Sequence, residues 1–566
     1  MTMGLIHGLL TTEAWSKAFH AGILDALRIA EQTRLDLKID RGVIEGVAAS
    51  RYLLEVLDRQ GRHAEKEAAK GYGRHRWLWY LRSLPDAIFD GHVDTISPLN
   101  RGLAEVIATR GAGPEKALGV PAEDGSFPFD GASAKRIAWV CGFAWGVALA
   151  QTQFRVVGKG GKLIFDERRP GIAFPLARVV DDGQLMKQLL TFDARNGSRR
   201  LFTRLGVPVD EFRPANPDWN FHFFLLEKVI GIHGTALATD PGPHLPQALS
   251  TRFRPNLMPG RQVIEMLSDR HVHGAITWSP EVPSLIAMLS LVAYLSATDS
   301  VAHMQMQQRG FILVDRDEFD ALLEKRRSEG ADLMKVLDLF PDPRPGVPLS
   351  DRLLEIEGTL TPYRPGPVAF KAEGRTLGLD PYNATQRLVT LLEFPKVSGD
   401  SVRVRGDAFE AKVQETIDKS PWAPPPEVKK LVGRHFKVDG KRLGEVDAFG
   451  ARDGTLLLVS CKSFIYNLEY DQGVHSEIRN VQSKLKESIE QFERLEAYFT
   501  EFPAKSGEYD LSAYDRICIV VVTPQPMYVT EPLLSQMALP GLRTCSGFEE
   551  FRDWLREADG AGDFDG

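Results

Sequence analysis

The side chains best placed to do chemistry lie in GEVDAFGARDGTLLLVSCKS, residues 444 to 463. Glu445 and Asp447 are two residues apart, as are Ser460 and Lys462, and alternate residues of a strand face the same way. Asp453-Gly454 between the pairs predicts a tight turn, so the strands form a hairpin on which the acids converge with Ser460 and Lys462. Val446, Val459 and Cys461 then point into the core. Glu410, on the predicted helix 407–419, supplies a third carboxylate. Cleaving a phosphodiester needs a divalent cation, carboxylates to hold it, and a positive side chain near the developing charge. Asp447, Glu410 and Lys462 are of those types.

Taken in order, Glu410, the tetrad G-E-V-D (444–447) and a hydrophobic strand ending in x-C-K (460–462) resemble the PD-(D/E)XK nuclease superfamily. That superfamily includes archaeal-type Holliday junction resolvases and Mrr-type restriction endonucleases. The resemblance covers residues 405 to 555 and implies a restriction-endonuclease-like α/β sandwich with a mixed sheet. It further implies Mg²⁺ (or Mn²⁺) held by Asp447, Glu410 and the backbone carbonyl of Cys461. Lys462 would orient or activate the attacking water, and Gln491, on the long helix that follows, would give polar support. Ser460 stands where the family has Glu, or Gln in Mrr-type enzymes, and a hydroxyl is a poor ligand for a hard cation. Glu445, read as sharing a strand face with Asp447, is the residue that would complete the shell.

Two functions are compatible with this pattern. One is a metal-dependent endonuclease, with the N-terminal region as the sensor of a restriction or anti-phage system. The other is a nuclease-fold module, inactive because of Ser460, that binds nucleic acid or protein. The net charge of −7 bears on both, because residues 401–566 carry 21 Lys+Arg against 28 Asp+Glu and so contain all of it. An acidic domain is no bulk coat for nucleic acid, so contact with DNA, the expected partner, must be local. KKLVGRHFKVDGKR (429–442) offers Lys429, Lys430, Arg434, Lys437, Lys441 and Arg442 against one acid, Asp439.

The elements that must position these residues follow from periodicity. After residue 400 the order is helix, strands, a long helix, a strand and a last helix, which predicts an α/β layer structure. The long helix carries an apolar stripe, Ile478, Val481, Leu485, Ile489, Phe492, Leu495 and Phe499, at core-packing spacing. Residues 1–340 read as mainly helical. FPDPRPGVPLS and TPYRPGPVAF make 341–400 a Pro/Gly-rich connector with a helix, residues 401–558 the nuclease-like domain, and 559–566 a tail. TQFRVVGKGGKLIFDE (152–167) reads as a hairpin about Gly158–Gly161. In GYGRHRWLWYLR (71–82) the aromatic residues read as helix core rather than base-stacking, and His271 and His273 lack a third ligand.

Four cysteines in 566 residues predict no disulfides. The apolar runs Ile137–Ala150 and Ser284–Ala297 are shorter than the roughly 20 residues of a membrane helix, and the N-terminus lacks the pattern of a signal peptide. A cytoplasmic protein without a membrane span is expected. Homodimerisation or a protein partner would engage the N-terminal region.

Overall fold

The computed structural model describes residues 12–68, 70–84, 101–112, 130–165, 177–180, 182–197, 222–229, 252–259, 279–329, 344–356, 366–393, 401–438, 441–464, 466–529 and 536–557. It is a mixed α/β protein with several small sheets. His271 and His273 and the tail 559–566 lie outside these residues.

The first part of the chain runs α1 (Glu13–Asp36), β1 (Gly42–Glu45), α2 (Gly46–Ala68), α3 (Arg74–Ser83), α4 (Arg101–Thr109), α5 (Gly131–Gly158), β2 (Lys162–Phe165), β3 (Ala177–Val179) and α6 (Gly183–Gly197). Small residues let α1 and α5 touch backbone to backbone: a Cβ on Gly142 would lie 1.9 Å from the Phe19 carbonyl oxygen. Trp77 and Tyr80 of α3 are buried in the same core, so the aromatic run at 71–82 packs inward. Arg82, also buried, pairs with Glu105 at 2.9 Å and with Asp380. α5 passes through three cores. Ile137 to Val147 pack with α1, α3 and α4; Ala150, Phe154 and Val157 pack with α2 and β2; and Val156 packs with Tyr466, Tyr470 and Ile478.

The hairpin expected at 152–167 is not formed. Residues 152–158 are the last turns of α5, and only Lys162–Phe165 is a strand, paired with β1 and β3. Ala150, Phe154 and Val157 repeat at helical spacing into a core, and that burial outweighs the β-propensity of Val156-Val157. Both apolar runs also extend beyond their 14 residues, into helices of 28 and 18 residues that are long and apolar enough to cross a bilayer. In each, 67% of the apolar stretch is buried inside the protein, as in a core helix.

A hairpin of β4 (His222–Val229) and β5 (Arg252–Pro259) precedes α7 (Glu281–Thr298), α8 (Ser300–Arg309), β6 (Ile312–Asp315), α9 (Arg316–Glu329) and α10 (Leu349–Leu354). β7 (Ala369–Lys371), β8 (Thr376–Leu379) and α11 (Pro381–Glu393) follow. β8 lies between β6 and β7 in an antiparallel sheet. Leu353, Val368, Leu379 and Leu388 share a core with α7. The described parts of 341–400 are therefore core elements, not only a connector.

The remaining elements are α12 (Ser401–Asp418), α13 (Pro426–Lys429), β9 (His435–Val438), β10 (Lys441–Glu445), β11 (Ala448–Arg452), β12 (Thr455–Cys461), α14 (Leu468–Gln472) and α15 (His475–Glu501). Short strands β13 (Ala504–Lys505) and β14 (Tyr509–Asp510) lead to β15 (Arg516–Thr523), β16 (Met537–Leu539), β17 (Leu542–Arg543), β18 (Cys545–Gly547) and α16 (Phe548–Glu557). The central sheet has the order β11-β12-β15-β18; β11 is antiparallel to β12 and the other pairs are parallel. Phe409 and Val413 of α12 and Phe551 of α16 cover one face with Leu457 and Val459. Phe492 and Leu495 of α15 cover the other with Leu456 and Leu458. All seven residues of the α15 stripe are buried.

Candidate functional site

The site is organised by the β11–β12 hairpin. Asp453 and Gly454 have φ of 49° and 69°, the left-handed pair that a tight two-residue hairpin turn requires. The register runs from Arg452 opposite Thr455 to Ala448 opposite Val459. One step further, Asp447 meets the end of β12. Its Oδ2 accepts the Cys461 amide at 2.6 Å and the Ser460 hydroxyl at 3.3 Å, and lies 3.8 Å from Lys462 Nζ. Asp447 is 8% exposed and Ser460 is fully buried, so the pair sits under the surface while Lys462 reaches out. Burial pushes the Asp447 carboxyl up, and Lys462 and the Cys461 amide act against that rise.

Glu410 comes from α12. Its carboxyl is pushed up to about 7, first by burial and then by the negative charge of Asp447 and Asp407, with Lys462 opposing. Glu410, Asp447 and Lys462 thus share one electrostatic neighbourhood. The Cys461 thiol is buried and held well above its ordinary range, so it stays neutral, and only the backbone of that residue is left to bind a hard cation. Two carboxylates with water and a substrate phosphate are a usual complement for Mg²⁺. The raised Glu410 carboxyl reflects burial first, and then a second acid that one lysine only partly offsets. In this respect the residues fit a divalent cation, although among the described residues no three His, Cys, Asp or Glu side chains are gathered as a metal cluster.

One expectation is corrected. Glu445 and Asp447 do not share a strand face: β10 ends at Glu445, β11 starts at Ala448, and Asp447 lies in the break where the chain passes from the β9–β10 hairpin to the central sheet. Glu445 instead takes His435 Nδ1 at 2.7 Å and Arg442 at 3.0 Å, so its carboxylate is already partnered, although its charge still raises Asp447 and Glu410. Ser460, at the position where the family has Glu or Gln, donates its hydroxyl to Asp447 and orients it. Gln491 supports the backbone. Its Nε2 donates to the Glu445 carbonyl at 3.4 Å, over Gly444, where a Cβ would come within 2.6 Å of Nε2.

The basic run is partly neutralised from within. Lys429 pairs with Asp418 at 2.5 Å, Arg434 with Glu508 at 3.4 Å, and Arg442 with Glu445. Lys430 and Lys437 are exposed, and Lys441 is the first residue of β10. Arg405 carries no signal in the sequence. It lies five residues before Glu410, and its Nε and Nη1 are buried without a hydrogen-bond partner among the described residues. The neighbouring Gly406 faces Ser463, whose Oγ would be 3.8 Å from an added Cβ.

The geometry defines a mixed-sheet α/β domain with a buried acid–serine pair beside an accessible lysine. No family model, curated protein or solved structure matches the chain.

Proposed function

We propose that residues 401–558 form a PD-(D/E)XK-type, restriction-endonuclease-like domain that hydrolyses phosphodiester bonds in nucleic acid, with DNA as the expected substrate. The observation that carries this reading is Asp447 at the end of β12 with Lys462 Nζ 3.8 Å away, and Glu410 on α12 near enough to feel the charge of both. Asp447, Glu410 and the Cys461 carbonyl would hold Mg²⁺ or Mn²⁺, which when bound neutralises phosphate and acidifies water. Ser460 and the Cys461 amide fix the Asp447 carboxylate, and Lys462 brings positive charge to the phosphate and orients the attacking water. Lys430 and Lys437 would steer the backbone of the substrate. The N-terminal region would serve as sensor or partner surface in a cytoplasmic defence system.

The Ser460 hydrogen bond also favours a second reading. Because it satisfies Asp447 without a cation, the domain would be a binding module that has lost catalysis. The full chain should therefore be assayed with Mg²⁺ and with Mn²⁺ on duplex, branched and single-stranded DNA and on RNA. Cleavage is expected, and Lys462→Ala or Asp447→Asn should each reduce it about 100-fold or more. Cleavage unchanged in both variants would sink the nuclease assignment. Binding without cleavage by the wild type would establish the module instead.

A further inference from the structure

Between α2 and the start of α15 lies an open cleft of about 550 Å³, within the range of roughly 300–1,000 Å³ usual for small-molecule sites. α15 is a 27-residue helix capped by Val474, whose side chain makes no capping bond. The first amides of a helix have no intrahelical acceptor and attract anions. Ser50, only 5% exposed, lines the cleft from α2, and its Oγ has no hydrogen-bond partner among the described residues. His475, the first residue of α15, lines it too, and its Nδ1 is likewise buried without a partner. Two buried polar atoms left unsatisfied beside an uncapped helix start are costly unless something else completes them.

Charge and shape narrow what that is. Arg51, at the cleft, and Arg479, one turn beyond His475, are exposed, and neither makes an ion pair among the described residues. The acids of the cleft are already engaged: Glu55 holds Arg59 at 2.7 Å and Asp58 holds Arg62 at 2.9 Å. Nearby Glu477 accepts Asn467 Nδ2 at 3.3 Å. The α2 face that carries Ser50 and Arg51 is also apolar and open to solvent, with Val47 65% and Leu54 48% exposed. An anionic group facing the start of α15, joined to an apolar body lying along α2, matches this lining.

We propose that this cleft binds a nucleoside phosphate, its phosphate on the first amides of α15 with His475, between Arg51 and Arg479, and its base against Val47 and Leu54. The site shares no residue with the Asp447 centre and does not depend on catalysis there.

The test is calorimetric titration of the full chain with AMP, GMP, CMP and UMP, with the four nucleosides, and with inorganic phosphate. At least one nucleotide should saturate the protein, about tenfold or more tighter than its nucleoside or phosphate alone. Arg51→Glu combined with Arg479→Glu, both at the surface, should weaken it by about tenfold or more. Asp447→Asn, Lys462→Ala and the remote control Lys17→Glu should leave it unchanged. Ser50→Ala should keep or raise the Tm of the free protein while weakening the nucleotide, because it removes an unsatisfied buried hydroxyl. The proposal is overturned if no nucleotide saturates by about 1 mM, if phosphate binds as tightly as the nucleotide, or if the double charge reversal leaves the affinity unchanged.

Discussion

Glu410→Gln removes a negative charge from a place that disfavours one. The ordinary value of 4.5 rises to about 7 in the fold, and each tenfold change in proton affinity is worth about 1.4 kcal/mol. The full difference is about 3 kcal/mol, and because the side chain is only half-buried, solvent screening reduces it to about 1–2 kcal/mol. The native state holds this proton more tightly than the unfolded chain does. Its contribution to stability is therefore complete below the unfolded value of 4.5 and is lost as the pH rises through about 7. Thermal melts of the full chain without divalent ions would show it. The variant should match the wild type near pH 4.5 and exceed it by a few degrees near pH 8.5. Mg²⁺ should raise the wild-type Tm near pH 8.5 and raise that of Glu410→Gln much less. A variant less stable than the wild type at the higher pH would refute the account, because Glu410 would then be stabilised, not strained, by its neighbours.

Ser460→Glu places a carboxylate against Asp447 in a fully buried position; it should lower the metal-free Tm and enlarge the rise in Tm that Mg²⁺ produces, compared by melts with and without the ion. Arg82→Met leaves Glu105 and Asp380 buried without their shared cation and should cost about 3–5 kcal/mol near neutral pH, measured by urea unfolding. That loss should shrink in acid, because Asp380, already pushed up to about 6, takes a proton there. In Gly158→Ala the new Cβ would lie 1.6 Å from the Gly473 carbonyl oxygen, so the variant should lose about 1–3 kcal/mol. Gly131→Ala, with nothing within 4 Å of the new atom, is the matching control in the same melts.

Local signals in the sequence carried far into this structure. Asp453-Gly454 and the alternation around it place Asp447, Ser460 and Lys462 together, and the α15 stripe identifies the helix that backs the sheet. What sequence alone misses depends on distant partners. Glu445 and Asp447 have strand spacing, but the chain changes sheets between them while Gln491, 46 residues later, holds the Glu445 carbonyl. The basic run reads as a free patch until Glu508, 74 residues from Arg434, closes on it. The prolines between 341 and 370 do interrupt helical periodicity, yet β8 finds its place by pairing with β6 across more than 60 residues.

The path of α5 also has a consequence for biosynthesis. Its end at Val156 is covered by Tyr466, Tyr470 and Ile478, which are translated far later. At about 5–20 residues per second, the roughly 310 residues separating Val156 from Tyr466 take about 15–60 s to appear. During that interval the tip of α5 has only Leu185, Leu189 and Phe192 of α6 to share its core. That core is therefore left half-built until the last third of the chain arrives to complete it.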